Sequence, residues 1–194
     1  ITVANVRFEG LKHVNSEYLR TLTGVRAGDV VDTGRISQDA LRIGAIEDLD
    51  SVEYRLLGDP DHPDLVWVPA ERAAGRNFIR PSFGMYGNSG GDVQLALGLQ
   101  YLRRWLNDLG GQWRNDLQLG YQLGVTTSLY QPLNVAQRYF IEPTLLLQRS
   151  VQSLYSDGNQ IAVFHTVDLG GEFDLGAALG RNGQLRLGYW NDKR

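Results

Sequence analysis

The 194-residue sequence contains no cysteine. A disulfide framework and a Cys-based metal site are therefore excluded. No apolar run approaches the roughly eighteen residues of a membrane helix, which excludes a helical span but not a membrane protein. Basic surplus is absent too. The chain has 19 Lys+Arg against 22 Asp+Glu, a formal net charge of -3, and no basic stripe, so nucleic acid is not an expected partner. Catalytic motifs are equally scarce. Gly-x-Ser-x-Gly does not occur, and Ser89 in Gly87-Asn-Ser-Gly-Gly91 fails that pattern. His13, His62 and His165 are far apart and lack ligand-like spacing. Asp59, Asp61 and Asp64 could chelate a cation, but an acidic turn is usually just solvated. No cofactor, metal site or catalytic constellation is expected.

What is present is a change of period near Arg76. Beyond it, segments of about ten residues alternate apolar and polar positions and then turn. Val93, Leu95, Leu97, Leu99 and Tyr101 oppose Gln94, Ala96, Gly98 and Gln100. Trp113, Leu117, Leu119, Tyr121 and Leu123 oppose Arg114, Asp116, Gln118, Gly120 and Gln122. A shorter strand ends at Leu133. Tyr139, Ile141, Leu145 and Leu147 oppose Glu142, Thr144 and Gln148. Ile161, Val163, Val167, Leu169 and Phe173 oppose Thr166, Asp168, Glu172 and Asp174, and Leu185, Leu187 and Tyr189 close the series. Asn77–Tyr86 is the first strand, with Pro81 awkwardly inside it because proline lacks the ladder N–H. Gly87–Asp92, Ser156–Gln160 and Gly180–Gly183 read as loops.

Such segments are the signature of transmembrane β-barrel strands, with apolar faces toward lipid and polar faces toward a wet lumen. Tyr86, Tyr101, Trp105, Trp113, Tyr130, Tyr139, Tyr155, Tyr189 and Trp190 fall near strand ends, as an aromatic girdle would. The composition shifts with the period. Residues 1–76 have net charge -4, residues 77–194 +1, and the latter hold 16 of the 23 Gly and 15 of the 19 aromatics. Seven strands cannot close a single-chain bacterial barrel. No leader is apparent either, since Ile1-Thr-Val-Ala has neither a basic nor a long apolar region. The expectation is a mature chain or a piece of a longer one. A soluble antiparallel sandwich also alternates, though its strands are usually shorter.

Residues 1–70 read β-α-α-β-β. Thr2–Phe8 is a strand with Val3 and Val6 or Phe8 inward. Asn15-Ser16 signals a helix over Glu17–Thr23, with Tyr18, Leu19 and Leu22 on one face. Thr33 to about Ile46 is a second helix, capped by Asp32 or Thr33, with Ile36, Ala40, Leu41 and Ile43 inward. Val52–Leu57 alternates, Gly58–Pro63 turns, and Leu65–Val68 is the last strand.

Within this stretch Val3-Ala-Asn-Val-Arg-Phe-Glu-Gly10, Gly28-Asp-Val-Val-Asp32, and Leu41-Arg-Ile-Gly-Ala-Ile46 before Ser51-Val-Glu-Tyr-Arg-Leu56 resemble a polypeptide-transport-associated (POTRA) domain. The resemblance implies an α+β domain at residues 1–72, lying in the periplasm beside an outer-membrane barrel that begins at residue 77 and is incomplete in this chain. It further implies peptide binding by strand addition at an edge formed by Val52, Glu53, Tyr54, Arg55 and Leu56. The same strand would serve equally to pack the domain, because many edge strands bind nothing.

A single POTRA before a barrel, together with Leu41–Leu56, Tyr101–Trp113 and Gly176–Tyr189, resembles the patatin-like type V autotransporters. Gly-rich barrel turns recur across the wider superfamily, and its late Arg-Gly-Phe/Tyr loop is not in this sequence. The resemblance implies a non-enzymatic translocator or anchor for a patatin-like lipase passenger in cis. Its partners would be outer-membrane lipid and the barrel-assembly machinery, with homo-oligomerisation left open. Three alternatives stay open: an assembly or two-partner secretion factor acting on other proteins, the anchoring part of a lipolytic enzyme whose catalytic domain lies upstream, and a soluble β-sandwich.

Overall fold

The order of elements follows from two hydrophobic periods, one near 3.6 and one of 2. The computed structural model describes residues 1–73, 75–87, 93–120, 122–156, 159–180 and 183–193, with the backbone alone at 86, 152–156 and 159–160. The chain divides into two units. One is Ile1–Gly75 with Asn107–Gly110 and Val135–Gln137; the other is the remainder.

The first unit runs β1 (Val6–Phe8), α1 (Ser16–Leu22), α2 (Thr33–Gly44), β2 (Leu49–Gly58) and β3 (Pro63–Glu71). Its sheet has the order β1-β3-β2, with β1 parallel and β2 antiparallel to β3. Asn15 and Asp32 cap the two helices, their side chains accepting from the Glu17 and Arg35 N–H groups. The core is Val3, Leu19, Val25, Ile36, Ile43, Leu65 and Trp67, all essentially without exposure. The first strand is shorter than the alternation suggested. Val3 leaves the sheet register and instead exchanges backbone bonds with Gly28 and Asp29 (2.7 and 2.9 Å).

Leu41 does not face inward; it is 75% exposed. It lies five residues after buried Ile36, about 140° around the helix, whereas Asp39 and Ile43 fall on the buried stripe. Asp39 is the polar member of that stripe. Its carboxylate accepts from the Gly24 and Val25 N–H groups at 2.7 and 2.9 Å and meets the Arg42 guanidinium at 3.0 Å. A buried carboxylate is stable only with such partners.

The second unit is a seven-stranded antiparallel sheet: β4 (Asn77–Gly87), β5 (Val93–Arg103), β6 (Gln112–Gly120), β7 (Gln122–Pro132), β8 (Tyr139–Ser156), β9 (Asn159–Ala178) and β10 (Gln184–Lys193). Each strand pairs with its sequence neighbours, and β4 and β10 are the open edges among the described residues. The segment Trp113–Leu123 is not one strand. Gly120 sits at φ +123, and a Cβ there would strike the Leu95 carbonyl, so the chain reverses and Leu123 belongs to β7. The supposed short strand ending at Leu133 is the eleven-residue β7. β8 and β9 are also longer than expected, at 18 and 20 residues, and take Ser156, Asn159 and Gln160 out of the expected loop. Residues 88–92, 157–158 and 181–182 of the expected loops, and Tyr121, lie outside the described residues. Pro81 occupies edge strand β4, where one side of the backbone has no ladder partner. Pro143 lies within β8, and the β7–β8 pairing skips there, from Ser128↔Thr144 to Gln131↔Ile141.

At the end of β3, Glu71 accepts from the N–H groups of Lys12, His13 and Val14 at 2.8, 2.8 and 3.0 Å, and from or to the His13 ring at 3.0 Å. Burial raises its pKa. The hydrogen bonds from His13, Val14 and Lys12 act the other way and prevail, so the carboxyl titrates below its ordinary value. The charged form is thus favoured by the fold. Its contribution is present above the unfolded pKa and is lost as pH falls through the lowered one. The expected outcome is that amide exchange at Lys12–Val14, corrected for intrinsic rates, accelerates on acidification below about pH 4. Glu71→Gln should remove that dependence; an unchanged profile in the variant would count against the assignment.

Candidate functional site

Two surfaces stand out. The first is the outer edge of β2. This strand pairs with β3 alone, through Val52↔Pro69, Tyr54↔Trp67 and Leu56↔Leu65, so its other side has no strand partner among the described residues. Val52 is half-buried beside Gly44 of α2. Tyr54 stands edge-on to the buried Trp67 ring at 5.8 Å, and Leu56 is 40% exposed. Glu53 and Arg55 alternate with them and are exposed. Between this strand and α2 runs an open groove of about 840 Å³, lined by Ser37, Ala40, Leu41, Gly44, Val52 and Tyr54 among others. The exposure of Leu41 makes the groove apolar. An extended peptide laid on β2 would find backbone partners on the strand and a pocket for alternate side chains in the groove.

The second surface is the seven-stranded sheet itself, whose two faces differ in chemistry. On one face Phe83↔Leu97, Leu97↔Leu119, Leu117↔Val125, Val125↔Leu147 and Leu147↔Leu169 form continuous cross-strand rows. Most of these side chains are exposed, a patch far larger than a water-soluble surface normally carries. The expected alternation therefore holds across these strands. The aromatic girdle holds in part. Tyr101, Trp113 and Tyr139 are on the apolar face at the end where β4 begins, with Tyr101 and Trp113 edge-on at 6.2 Å. Trp113 Nε1 donates to Thr127 Oγ1, which donates in turn to Asn115. Trp105, however, is buried, and Tyr130 and Trp190 pair into the opposite face. Position near a strand end does not fix which face a ring takes; register parity does. The side chains of Tyr86 and Tyr155 lie outside the described residues.

On that opposite face sits a polar cluster that the alternation did not single out. Glu142 and Asp174 are directly opposed on β8 and β9 and are 7% and 8% exposed. Arg186 of β10 bridges them, with Nη1 at 2.7 Å from Glu142 and 3.4 Å from Asp174. Its guanidinium lies 5.1 Å over the Phe140 ring, and that ring lies against Gly176, where any Cβ would collide with it. The two carboxylates of the cluster are both held by Arg186. Among the described residues no group of His, Asp and Glu could hold a metal ion.

No family model matches the sequence. Two solved structures share the fold. BamA from Haemophilus ducreyi lacking POTRA domains 1–3 superposes with a TM-score of 0.74 at 20% identity, over 99% of this chain and 36% of its own. CdiB from Acinetobacter baumannii gives 0.54 at 14% identity, over 97% of this chain and 38% of its own. The chain thus spans a little over a third of the length of either structure. At these identities the likeness concerns the fold, and it takes in both units.

Removing one partner of a buried ion pair costs about 3–5 kcal/mol, and less where, as with Arg186, the partner is partly exposed. Arg186→Gln should lower the temperature at which the folded protein loses its fast-migrating form in a gel, and Arg186→Lys should restore part of the loss. Equal melting of all three forms would show the bridge to be incidental.

Proposed function

We propose that this chain is part of an outer-membrane β-barrel that inserts or secretes other polypeptides. Residues 1–72 are its periplasmic POTRA domain and residues 77–194 its first barrel strands. One observation carries this reading: seven antiparallel strands expose a continuous apolar face while every carboxylate on the described strands lies on the other face. A sheet bathed in lipid on one side and water on the other needs that partition over strands of this length. The likeness to BamA supports it, since it extends over nearly all of this chain and the matched structure is of a protein described as lacking its POTRA domains 1–3. The likeness to CdiB supports a place in the same broad class.

In this reading the β2 edge with its groove receives an extended polypeptide, and the barrel supplies the route or the insertion site. The segment itself does no chemistry. Carriage of a patatin-like lipase rests on the sequence resemblance alone, and the two structural likenesses favour assembly or secretion of other polypeptides over a passenger in cis.

Two tests bear on it, both in the full-length protein. Leu97→Arg places a charge on the apolar face at a cost of about 2–4 kcal/mol near the bilayer midplane, whereas Gln118→Arg adds it to the polar face at little cost. The first should deplete the detergent-extracted, heat-modifiable species and the second should not; release of the wild-type protein by a carbonate wash would sink the membrane reading. A photo-crosslinking residue at Arg55 or Leu41 should capture incoming polypeptide, while one at Arg42, on α2 but outside the groove, should not. Equal capture at all three would remove the edge and groove from the mechanism.

A further inference from the structure

The apolar face carries few charges, and all of them are of one sign. By register parity its ionisable residues among the described strands are Arg103, Arg149, His165 and Lys193. Arg149 pairs with Leu123 on one side and Val167 on the other, Lys193 with Leu169, and His165 with Val151. No carboxylate lies on that face among the described residues. Arg149, His165 and Lys193 are all exposed, and none forms an ion pair with a described residue.

Their height is as telling as their sign. Arg149 is ten residues beyond Tyr139, the first residue of β8, and Lys193 nine beyond Gln184, the first of β10. A strand rising 3.3 Å per residue and tilted near 40° gains about 2.5 Å of height per residue, so both lie about 25 Å from the end where β4 begins. That is the height of the lipid-facing apolar band of an outer-membrane barrel. The near end of the band is marked by rings, Tyr101, Trp113 and Tyr139. Toward the far end stand the cations, with Val163 and Ile161 beyond them on β9. Arg149 and Lys193 stand two strands apart with register rows offset by two residues, a separation of about 12 Å from strand geometry. His165 follows on the next row outward, diagonal to Arg149.

We infer that Arg149 and Lys193, with His165 above them, form a binding site for the phosphate groups of a membrane lipid in the leaflet at the end of the sheet away from the start of β4. The inference rests on the membrane reading above. A guanidinium and an ammonium at the hydrocarbon boundary need a counter-charge, and the described residues offer none on that face. A lipid headgroup bearing two phosphates can meet both at once, with Arg149 taking one in its two-pronged fork and Lys193 the other as a point charge. Val167 and Leu169, lying between them on β9, are the surface for the acyl chains.

The test uses the full-length protein in detergent, titrated by native mass spectrometry with three probes: a bis-phosphorylated glucosamine lipid (lipid A), phosphatidylcholine and inorganic phosphate. The expected result is selective retention of lipid A. It should weaken about fivefold for Arg149→Gln or Lys193→Gln and about thirtyfold for the double variant. Arg103→Gln, at the opposite end of the band, should bind as the wild type does. Equal retention of lipid A and phosphatidylcholine, an unaltered double variant, or equal loss in Arg103→Gln would overturn the site while leaving the membrane reading intact. Inorganic phosphate displacing lipid A at equal concentration would overturn the lipid as its occupant. A full-length protein that stays soluble without detergent would overturn the membrane reading and the site together.

Discussion

The backbone ladder of the seven-stranded sheet is the constraint on which the rest depends. In hydrocarbon a peptide N–H or C=O without a partner costs several kcal/mol, so a lipid-facing sheet must pair every strand continuously. Pairing fixes register, and register fixes which side chains meet lipid. A one-residue slip in β8 would carry Glu142 to the apolar face and Leu145 and Leu147 away from it. The partition of charge in this sheet, carboxylates on one face and a few terminal cations on the other, is therefore a consequence of the ladder and also what keeps the ladder from slipping.

The polar face solves a different problem. Its side chains pack in layers. The Phe140 ring covers Gly176, the Trp190 ring covers Gly170, and Arg186 lies over Phe140 with two carboxylates beneath its reach. Each glycine here is a space that a neighbouring ring fills, so large side chains lie along the wall. The opposed carboxylates Glu142 and Asp174 would repel each other if bare. Arg186 turns that repulsion into a tie between β8, β9 and β10.

Alternation made the sheet legible because every residue of a lipid-facing strand is either in or out. Val93–Tyr101 needed no further information. The turn at Gly120 was hidden because Trp113–Leu123 keeps its alternation straight through it; only the positive φ and the close Leu95 carbonyl reveal the reversal. Trp105 was misplaced because aromatic character is shared by girdle and core. In the first unit, α2 is plain from its cap and period, yet Leu41 and Asp39 exchanged their expected roles. Hydrophobicity placed the leucine inside, but the buried stripe passes through 36, 39 and 43, and two backbone N–H groups from a distant turn make Asp39 welcome there. That exchange created the groove. The edge strand Val52–Leu56 could be picked out from sequence, but the apolar wall beside it depended on tertiary contacts that no local pattern records.

The two units leave strand edges open under opposite conditions. The outer edge of β2 has no strand partner among the described residues, and in water its unpaired peptide groups would be hydrated at small cost. The edges at β4 and β10 have no such refuge if the sheet lies in a bilayer, and further strands must meet them there. Pro81 shows how far β4 departs from an ordinary barrel strand. Its ring removes one ladder donor in the middle of the strand, so any partner on that side pairs imperfectly at that point.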